Sequence, residues 1–277
     1  MENTVVAITG ASSGIGEAFA RKLAAGHDLI LIARRKERLE RIASNLFDIY
    51  GTRAEILQAD LTDDADLERV SERIGREQRL ALLINNAGFG IRGRFWEVDL
   101  AENSRMHKLH ITATLRLTHS ALRSMVARDF GGIINVASIS SFLRSPGTTS
   151  YSATKAWMSA FTEGLYLELR EARSQVAVQA LCPGFTYSEF HEAMGMARPK
   201  VQPWLWLTAE EVVEASLDGL RRRKPIVIPG WRYKLITAVL TRLPYSAKLA
   251  IEAVGGKTQQ PATPILAENR KQLSNGN

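Results

Sequence analysis

The chain predicts an α/β fold, a single doubly wound parallel sheet of about seven strands with helices on both faces. Short apolar runs (TVVAIT, DLILIA, RAEILQA, LALLIN, GGIINVA, QVAVQAL and PIVIP) alternate with longer stretches of helical periodicity. Neither a Pro/Gly/Ser linker nor an internal repeat interrupts that alternation before about residue 255, so the 277 residues, 45% apolar, read as one large domain. In such sheets ligands bind beyond the carboxyl ends of the strands, near the point where strand order reverses. Chemistry is therefore expected where the apolar runs end.

The first run ends in TGASSGIG, and Gly10, Gly14 and Gly16 lead into the helical IGEAFARKLAA. Glycines at this place let the backbone turn tightly and approach a pyrophosphate, while free N–H groups at the helix start supply donors. The candidate cofactor-binding residues here are Gly10, Ser12, Ser13, Gly14, Ile15 and Gly16. A purely structural turn is the competing reading. The position after the first strand of an alternating chain favours a dinucleotide.

The second run ends at Ala33, where a dinucleotide site places an acid on the ribose 2′-hydroxyl, or an arginine on a 2′-phosphate. Arg34 and Arg35 follow. For Arg35, solvation of a charged helix start explains the residue as well as a ligand does. For Arg34, with no acid at that strand end, the reading is a 2′-phosphate, hence NADP(H) preferred with NAD(H) still possible. The third run ends in Asp60 and Leu61, where an acid could receive an adenine amino group. The fourth ends in NNAG, whose Asn86, Ala87 and Gly88 would let a flat ring approach the backbone. Turn chemistry explains each of these two sites equally well on its own.

The fifth run ends in NVASIS, and thirteen residues after Ser138 comes YSATK. On a helix, Tyr151 and Lys155 share one face, about 5–6 Å apart at Cβ. Taken in order, TGASSGIG, NNAG, a serine followed by YSATK, and the CPGFTYS that follows the sixth run resemble the short-chain dehydrogenase/reductase family over roughly residues 4 to 230. The resemblance implies a single-domain Rossmann fold and an enzyme that interconverts a carbonyl and an alcohol. It implies that Tyr151 is the acid/base, that Ser138 orients the substrate oxygen, and that Lys155 holds the nicotinamide ribose and lowers the tyrosine pKa. A unit charge at 4 Å and an effective dielectric of 20 is worth about 4 kcal/mol, roughly three pK units and an upper-end figure. Pro183, Gly184 and Thr186 carry over as nicotinamide contacts.

One position departs from the family. An asparagine, whose main-chain carbonyl holds a water of the proton relay, is replaced by His110 in LHITAT. A backbone carbonyl survives such a change and an imidazole can shuttle protons, while a merely tolerated replacement is the level alternative. The segment from about 185 to 208, with Phe190, Met194, Met196, Trp204 and Trp206, corresponds to the family's substrate lid and suggests a hydrophobic substrate. A helix packed on the domain or an oligomer contact stands close behind.

Beyond the seventh run, WRYKLITAVLTRLP opens a helix expected over about 231–254, with Trp231, Leu235, Ile236, Val239, Leu240 and Leu243 at helical spacing. A membrane-surface helix is one reading. A stripe that caps the protein's own core or a partner's is the favoured one. Residues 256–277 are polar and read as a flexible tail. ATKAWMSAFTEGLYLELREA is apolar on more than one face, and the resemblance implies a homodimer or homotetramer through this helix and the preceding one.

The net charge of +7 is concentrated at the C-terminus, where residues 231–277 hold seven basic and two acidic residues, so no nucleic-acid partner is expected. A lone cysteine, Cys182, allows no intrachain disulfide and fits a reducing compartment, and MENTVVAITG lacks the features of a signal peptide, so a cytoplasmic location is expected. No metal is expected. The expected function is an NADP(H)-dependent oxidoreductase acting on a hydrophobic small molecule, and the alternative is an NADP(H)-binding sensor or interaction protein with little turnover.

Overall fold

The computed structural model describes residues 4–189 and 202–255. Phe190, Met194, Met196 and the tail expected over 256–277 lie outside the described residues.

Seven strands form one parallel sheet in the order β3-β2-β1-β4-β5-β6-β7. They are β1 (Val5–Thr9), β2 (Asp28–Ala33), β3 (Ala54–Gln58), β4 (Leu80–Asn85), β5 (Gly132–Val136), β6 (Ala177–Leu181) and β7 (Ile226–Val227). Between them run helices α1 (Gly14–Leu23), α2 (Lys36–Tyr50), α3 (Asp64–Arg76), α4 (Leu100–His107), α5 (Thr114–Arg128), α6 (Thr149–Glu171) and α7 (Ala209–Arg221). Two more, α8 (Trp231–Arg242) and α9 (Tyr245–Gly255), follow the last strand. β7 is shorter than the run PIVIP because Pro225 and Pro229, which bracket it, have no N–H for a ladder.

Strand alternation decides which helices cover which face. Val6, Ile8, Leu29 and Leu31 point to one side and pack with Phe19, Leu39, Ile42, Val212 and Val213 of α1, α2 and α7. Val5, Ala7, Ile30 and Ile32 point to the other and pack with Leu67, Val70, Leu117, Ala121 and Leu169 of α3, α5 and α6. With both faces covered, the strands have no polar face to present, which is why the sequence shows continuous apolar runs. Local chemistry sets the helix ends. The Asp63 carboxylate accepts from the N–H groups of Ala65 and Asp66 to start α3, Thr208 and Glu211 form a reciprocal capping box on α7, and Gly51 ends α2 in the left-handed region.

The strand order reverses between β1, whose chain moves outward to β2 and β3, and β4, from which it runs to β5, β6 and β7. That reversal leaves a crevice beyond the carboxyl ends of β1 and β4. A second irregularity lies beside it. α4 and α5 are joined through a wide π-helical turn, Lys108–Ala113, which holds His110 buried and aimed toward the crevice.

At the C-terminal end the structure shows which part of the apolar stripe the protein's own core covers. Tyr233 and Thr237 form the buried face of α8, while Trp231, Leu235 and Val239 are 65%, 57% and 51% exposed. Tyr233 wins because its ring seats against Gly184, where any side chain would overlap it, and its hydroxyl is satisfied on arrival. An apolar stripe in a sequence names a face but not what that face meets.

Candidate active site

A cleft of about 700 Å³ opens at the carboxyl ends of the strands. Of the sequence-predicted residues, Ser138, Tyr151 and Lys155, the glycine-loop residues Gly10 to Ile15, Arg34, Arg35, Asp60, Leu61, Asn86 to Gly88, Pro183, Gly184 and Thr186 all line it, apart from Ala11, which was not predicted. Gly16 is the exception and corrects the prediction. It is the third residue of α1 and buried, and a β-carbon there would overlap the carbonyl oxygen of Gly10, so it serves close packing of α1 on the loop.

The glycine loop is a cradle that only backbone can build. Gly10 and Gly14 have φ of +66° and +57°, and a β-carbon at Gly10 would stand 2.8 Å from Asn86 Nδ2. Asn86 closes the loop from the far side: its Nδ2 donates to the carbonyls of Thr9 at 2.9 Å and Gly10 at 3.2 Å. The Thr9 hydroxyl accepts from the N–H groups of Asn86 and Ala87, each at 2.9 Å. The Asn86 side chain therefore holds the loop in place.

At the outer end of the cradle, Arg35 donates through Nη2 to Ser12 Oγ at 2.9 Å and Ser13 Oγ at 2.8 Å. Arg34 is more exposed and stands 3.9 Å from Asp60 Oδ2. Asp60 also accepts from the N–H and hydroxyl of Thr62, which with Arg34 holds its carboxyl below the usual carboxylate range against the opposing effect of burial. The sequence showed no acid at this strand end, yet one arrives from far along the chain. Glu189 accepts from Arg35 Nη1 at 2.8 Å and from Arg38 Nη1 at 2.6 Å, and its carboxyl is held below its ordinary pKa by both arginines. No local signal could have found Glu189, since it lies more than 150 positions from both partners.

The catalytic candidates meet at the inner end. Ser138 begins a tight turn after β5, accepts the N–H of Ser140 at 3.1 Å, and hydrogen-bonds Tyr151. Tyr151 and Lys155 lie on the first turns of α6, with Lys155 Nζ 5.9 Å from the centre of the phenol ring. Lys155 is buried and donates to the Val136 carbonyl at 2.8 Å. Burial pushes Tyr151 up to about 12, the Ser138 hydrogen bond opposing the rise, and pushes Lys155 down to about 7. The sequence-based expectation that Lys155 draws Tyr151 toward neutrality is not met in this geometry. Desolvation dominates both groups, and the ammonium is engaged by the β5 carbonyl.

The far part of the cleft is apolar, lined by Phe89, Ile91, Leu109, Leu143, Leu205 and Ile236, with Arg92 and Arg144 among them. Trp204 and Trp206, expected in the lid, do not line it. Trp206 stacks on Tyr187 at 4.9 Å, and Trp204 lies under the Arg232 guanidinium at 5.4 Å. Tyr233 was missed by sequence reading. Its hydroxyl accepts from Phe185 N at 3.0 Å and donates to the Leu205 carbonyl at 2.7 Å, which ties α8 to both edges of the cleft. Among the described residues no cluster of three or more His, Cys, Asp or Glu could hold a metal ion, and no helix is long and apolar enough to cross a membrane.

A doubly wound sheet, a glycine cradle at its crevice and a Ser/Tyr/Lys set at the inner end of the cleft define a nicotinamide-dinucleotide oxidoreductase of the kind that interconverts alcohols and carbonyls. Comparison with known proteins agrees. Residues 4–198 match the sequence profile of the short chain dehydrogenases, and the chain belongs to that family. It is 32% identical over 187 residues to the 3-oxoacyl-[acyl-carrier-protein] reductase of Aquifex aeolicus, covering 67% of this chain and 75% of that one. Among solved structures, a short-chain dehydrogenase from Sphingobium yanoikuyae in complex with NADPH superposes with a TM-score of 0.77 at 35% identity, covering 88% of this chain and 97% of that one. The bulky-bulky ketone specific alcohol dehydrogenase from Comamonas testosteroni superposes with a TM-score of 0.75 at 30% identity, covering 89% and 97%.

Proposed function

We propose that the protein is an NADP(H)-dependent carbonyl reductase or alcohol dehydrogenase acting on a hydrophobic small molecule, with Tyr151 as acid/base. The observation that carries this is one cleft shared by an arginine-flanked cradle, the Ser138, Tyr151 and Lys155 set, and an apolar far wall. The cradle fits a dinucleotide because glycines admit backbone where a β-carbon would collide. Gly10 to Ile15 would hold the pyrophosphate, and Arg34 and Arg35 with Ser12 and Ser13 the 2′-phosphate. Asp60, Leu61, Ala87 and Gly88 would border the adenosine, and Pro183, Gly184 and Thr186 the nicotinamide. When bound, the cofactor supplies or accepts the hydride.

Tyr151, kept protonated at neutral pH, can give its proton to an oxygen on which charge develops, and Ser138 holds that oxygen in line. Lys155 supports the transfer from behind. The related NADPH complex and the ketone-specific relative support the same reading of cofactor and substrate class.

Arg92 favours a second reading of the substrate. It is half-buried on the cleft wall, burial lowers its pKa, and among the described residues no acid pairs with it, so an apolar body with an anionic end would suit it. A homodimer or homotetramer through α5 and α6 would cover their exposed Leu115, Val126 and Leu167. The buried lone Cys182 accords with a reducing, cytoplasmic setting.

The deciding experiment titrates wild type and the Arg34→Asp and Arg35→Asp variants with NADPH and NADH by nicotinamide fluorescence, then screens bulky ketones with and without a carboxylate. Tight NADPH binding that falls toward the NADH value in the variants supports the assignment. A protein that binds NADPH, turns over no ketone, and keeps its cellular role as Tyr151→Phe would instead be the sensor.

A further inference from the structure

Among the described residues, His110 is a buried ring beside the site to which the reaction scheme gives no task. It is wholly inaccessible in the π-helical turn, its ring centre 5.9 Å from that of Tyr151 in an edge-on arrangement and 6.3 Å from that of Phe89. Its hydrogen bonds fix its tautomer. Thr154 Oγ1 has one proton, and it donates that proton to the Tyr151 carbonyl at 2.8 Å. The 2.9 Å bond between His110 Nδ1 and Thr154 Oγ1 therefore runs from Nδ1–H to the hydroxyl oxygen. Nε2 is left as a bare lone pair, buried and without a partner among the described residues.

The position of that lone pair is specific. A β-carbon at Gly88 would lie 2.8 Å from His110 Nε2 and 3.6 Å from Lys155 Nζ, so both nitrogens converge on the space that glycine keeps open. Lys155 has three N–H donors. One goes to the Val136 carbonyl at 2.8 Å and another only to Met158 Sδ at 3.5 Å, so a strong donor is left over beside an acceptor that lacks one.

We infer that His110 is a positioning residue for Lys155, its neutral imidazole accepting through Nε2 from a water that the lysine ammonium holds in the space beside Gly88. The inference rests on the reductase reading of the site and adds a side chain to its proton path. Among the described residues, the charged and titratable groups facing the pair are His107, Tyr151 and Cys182, and none of these is a carboxylate. Burial first, and then the neighbouring Lys155 and His107, hold His110 well below its ordinary pKa, so the lone pair persists at neutral pH. The same burial destabilises the Lys155 charge, and a neutral acceptor opposes that without adding a second charge.

Cofactor-free protein is the sample for the first test. ¹⁵N NMR of wild type should show His110 with Nδ1 protonated and Nε2 bare, and the opposite tautomer would overturn the inference without any substitution. Titration of the Lys155 ε-ammonium by NMR should then show its pKa falling by about one to two units in His110→Leu, the size of one hydrogen bond to a charged group. His110→Gln, whose amide oxygen reaches the Nε2 position, should restore it, and the shorter His110→Asn should not. The alkaline limb of the kcat/KM profile should move in the same order. An unchanged Lys155 titration across all three variants would mean that the imidazole only fills space. NADPH titration of the same proteins tests the cofactor reading separately: loss of NADPH binding by wild type refutes that reading and leaves the lysine result interpretable.

Discussion

At the scale of single residues, the site is governed by how burial and partners divide. Tyr151 and Lys155 are four apart on one helix face, yet what each does depends on Val136, Ser138 and the space at Gly88, which belong to β5 and the turns after β5 and β4. On the proposed mechanism, Tyr151→Phe removes the acid while leaving the cradle untouched. Turnover should fall by about 10²–10⁴, the usual worth of general acid catalysis, with NADPH affinity unchanged by fluorescence titration. Glu189 makes a second prediction. It holds Arg35, a residue that would receive the 2′-phosphate, so an incoming phosphate must compete with a carboxylate. Glu189→Gln should tighten NADPH binding by roughly 2- to 10-fold, a partly exposed charge-assisted bond being worth less than a buried one, and leave NADH binding where it was. Equal effects on both nucleotides would show that Glu189 acts elsewhere.

At the scale of elements, the cleft is assembled from segments that have no local reason to meet. α8 closes it through Tyr233, which bridges the segment after β6 and the turn that carries Leu205. Tyr233→Phe keeps the ring against Gly184 and deletes the hydroxyl, leaving the Phe185 N–H and the Leu205 carbonyl without it. Thermal unfolding should show a loss of about 1–3 kcal/mol, and KM for a bulky ketone should rise more than kcat falls, because the substrate wall loosens before the chemistry is touched. The π-helical turn between α4 and α5 is a further case. One extra residue in a turn is invisible to hydrophobic periodicity, yet it points His110 at the site.

At the scale of the whole molecule, stability should depend on pH through the buried lysine. Its folded pKa of about 7 lies below the ordinary 10.5, so between those values the unfolded chain binds a proton that the folded chain does not. Stability must therefore rise with pH across that window, by up to about 1.4 kcal/mol per pH unit. Cys182 and Tyr151, both pushed up to about 12, act in the opposite direction, but only as pH climbs past their ordinary values of 9.0 and 10.0. Comparing the unfolding midpoints of wild type and Lys155→Met at pH 7 and pH 8.5 isolates the effect. Wild type should gain stability over that interval and Lys155→Met should not.

The doubly wound sheet and the cradle at its first turn were legible from neighbours in sequence, whereas the Ser138, Tyr151 and Lys155 set was expected from the family resemblance, spacing alone giving only the helix face that Tyr151 and Lys155 share. Strand burial writes apolar runs, the turn after β1 demands glycine at Gly10 and Gly14, and one helix face joins Tyr151 to Lys155. The pairing of Glu189 with Arg35 and Arg38, the seating of Tyr233 on Gly184, the outward turn of Trp231, Leu235 and Val239, and the convergence of His110 and Lys155 on Gly88 were not legible. Those features, like the pKa values of Tyr151 and Lys155, arise from groups far apart in the chain brought within a few ångströms, where desolvation and partner geometry set the energies. Periodicity and motif spacing carry no information about that distance.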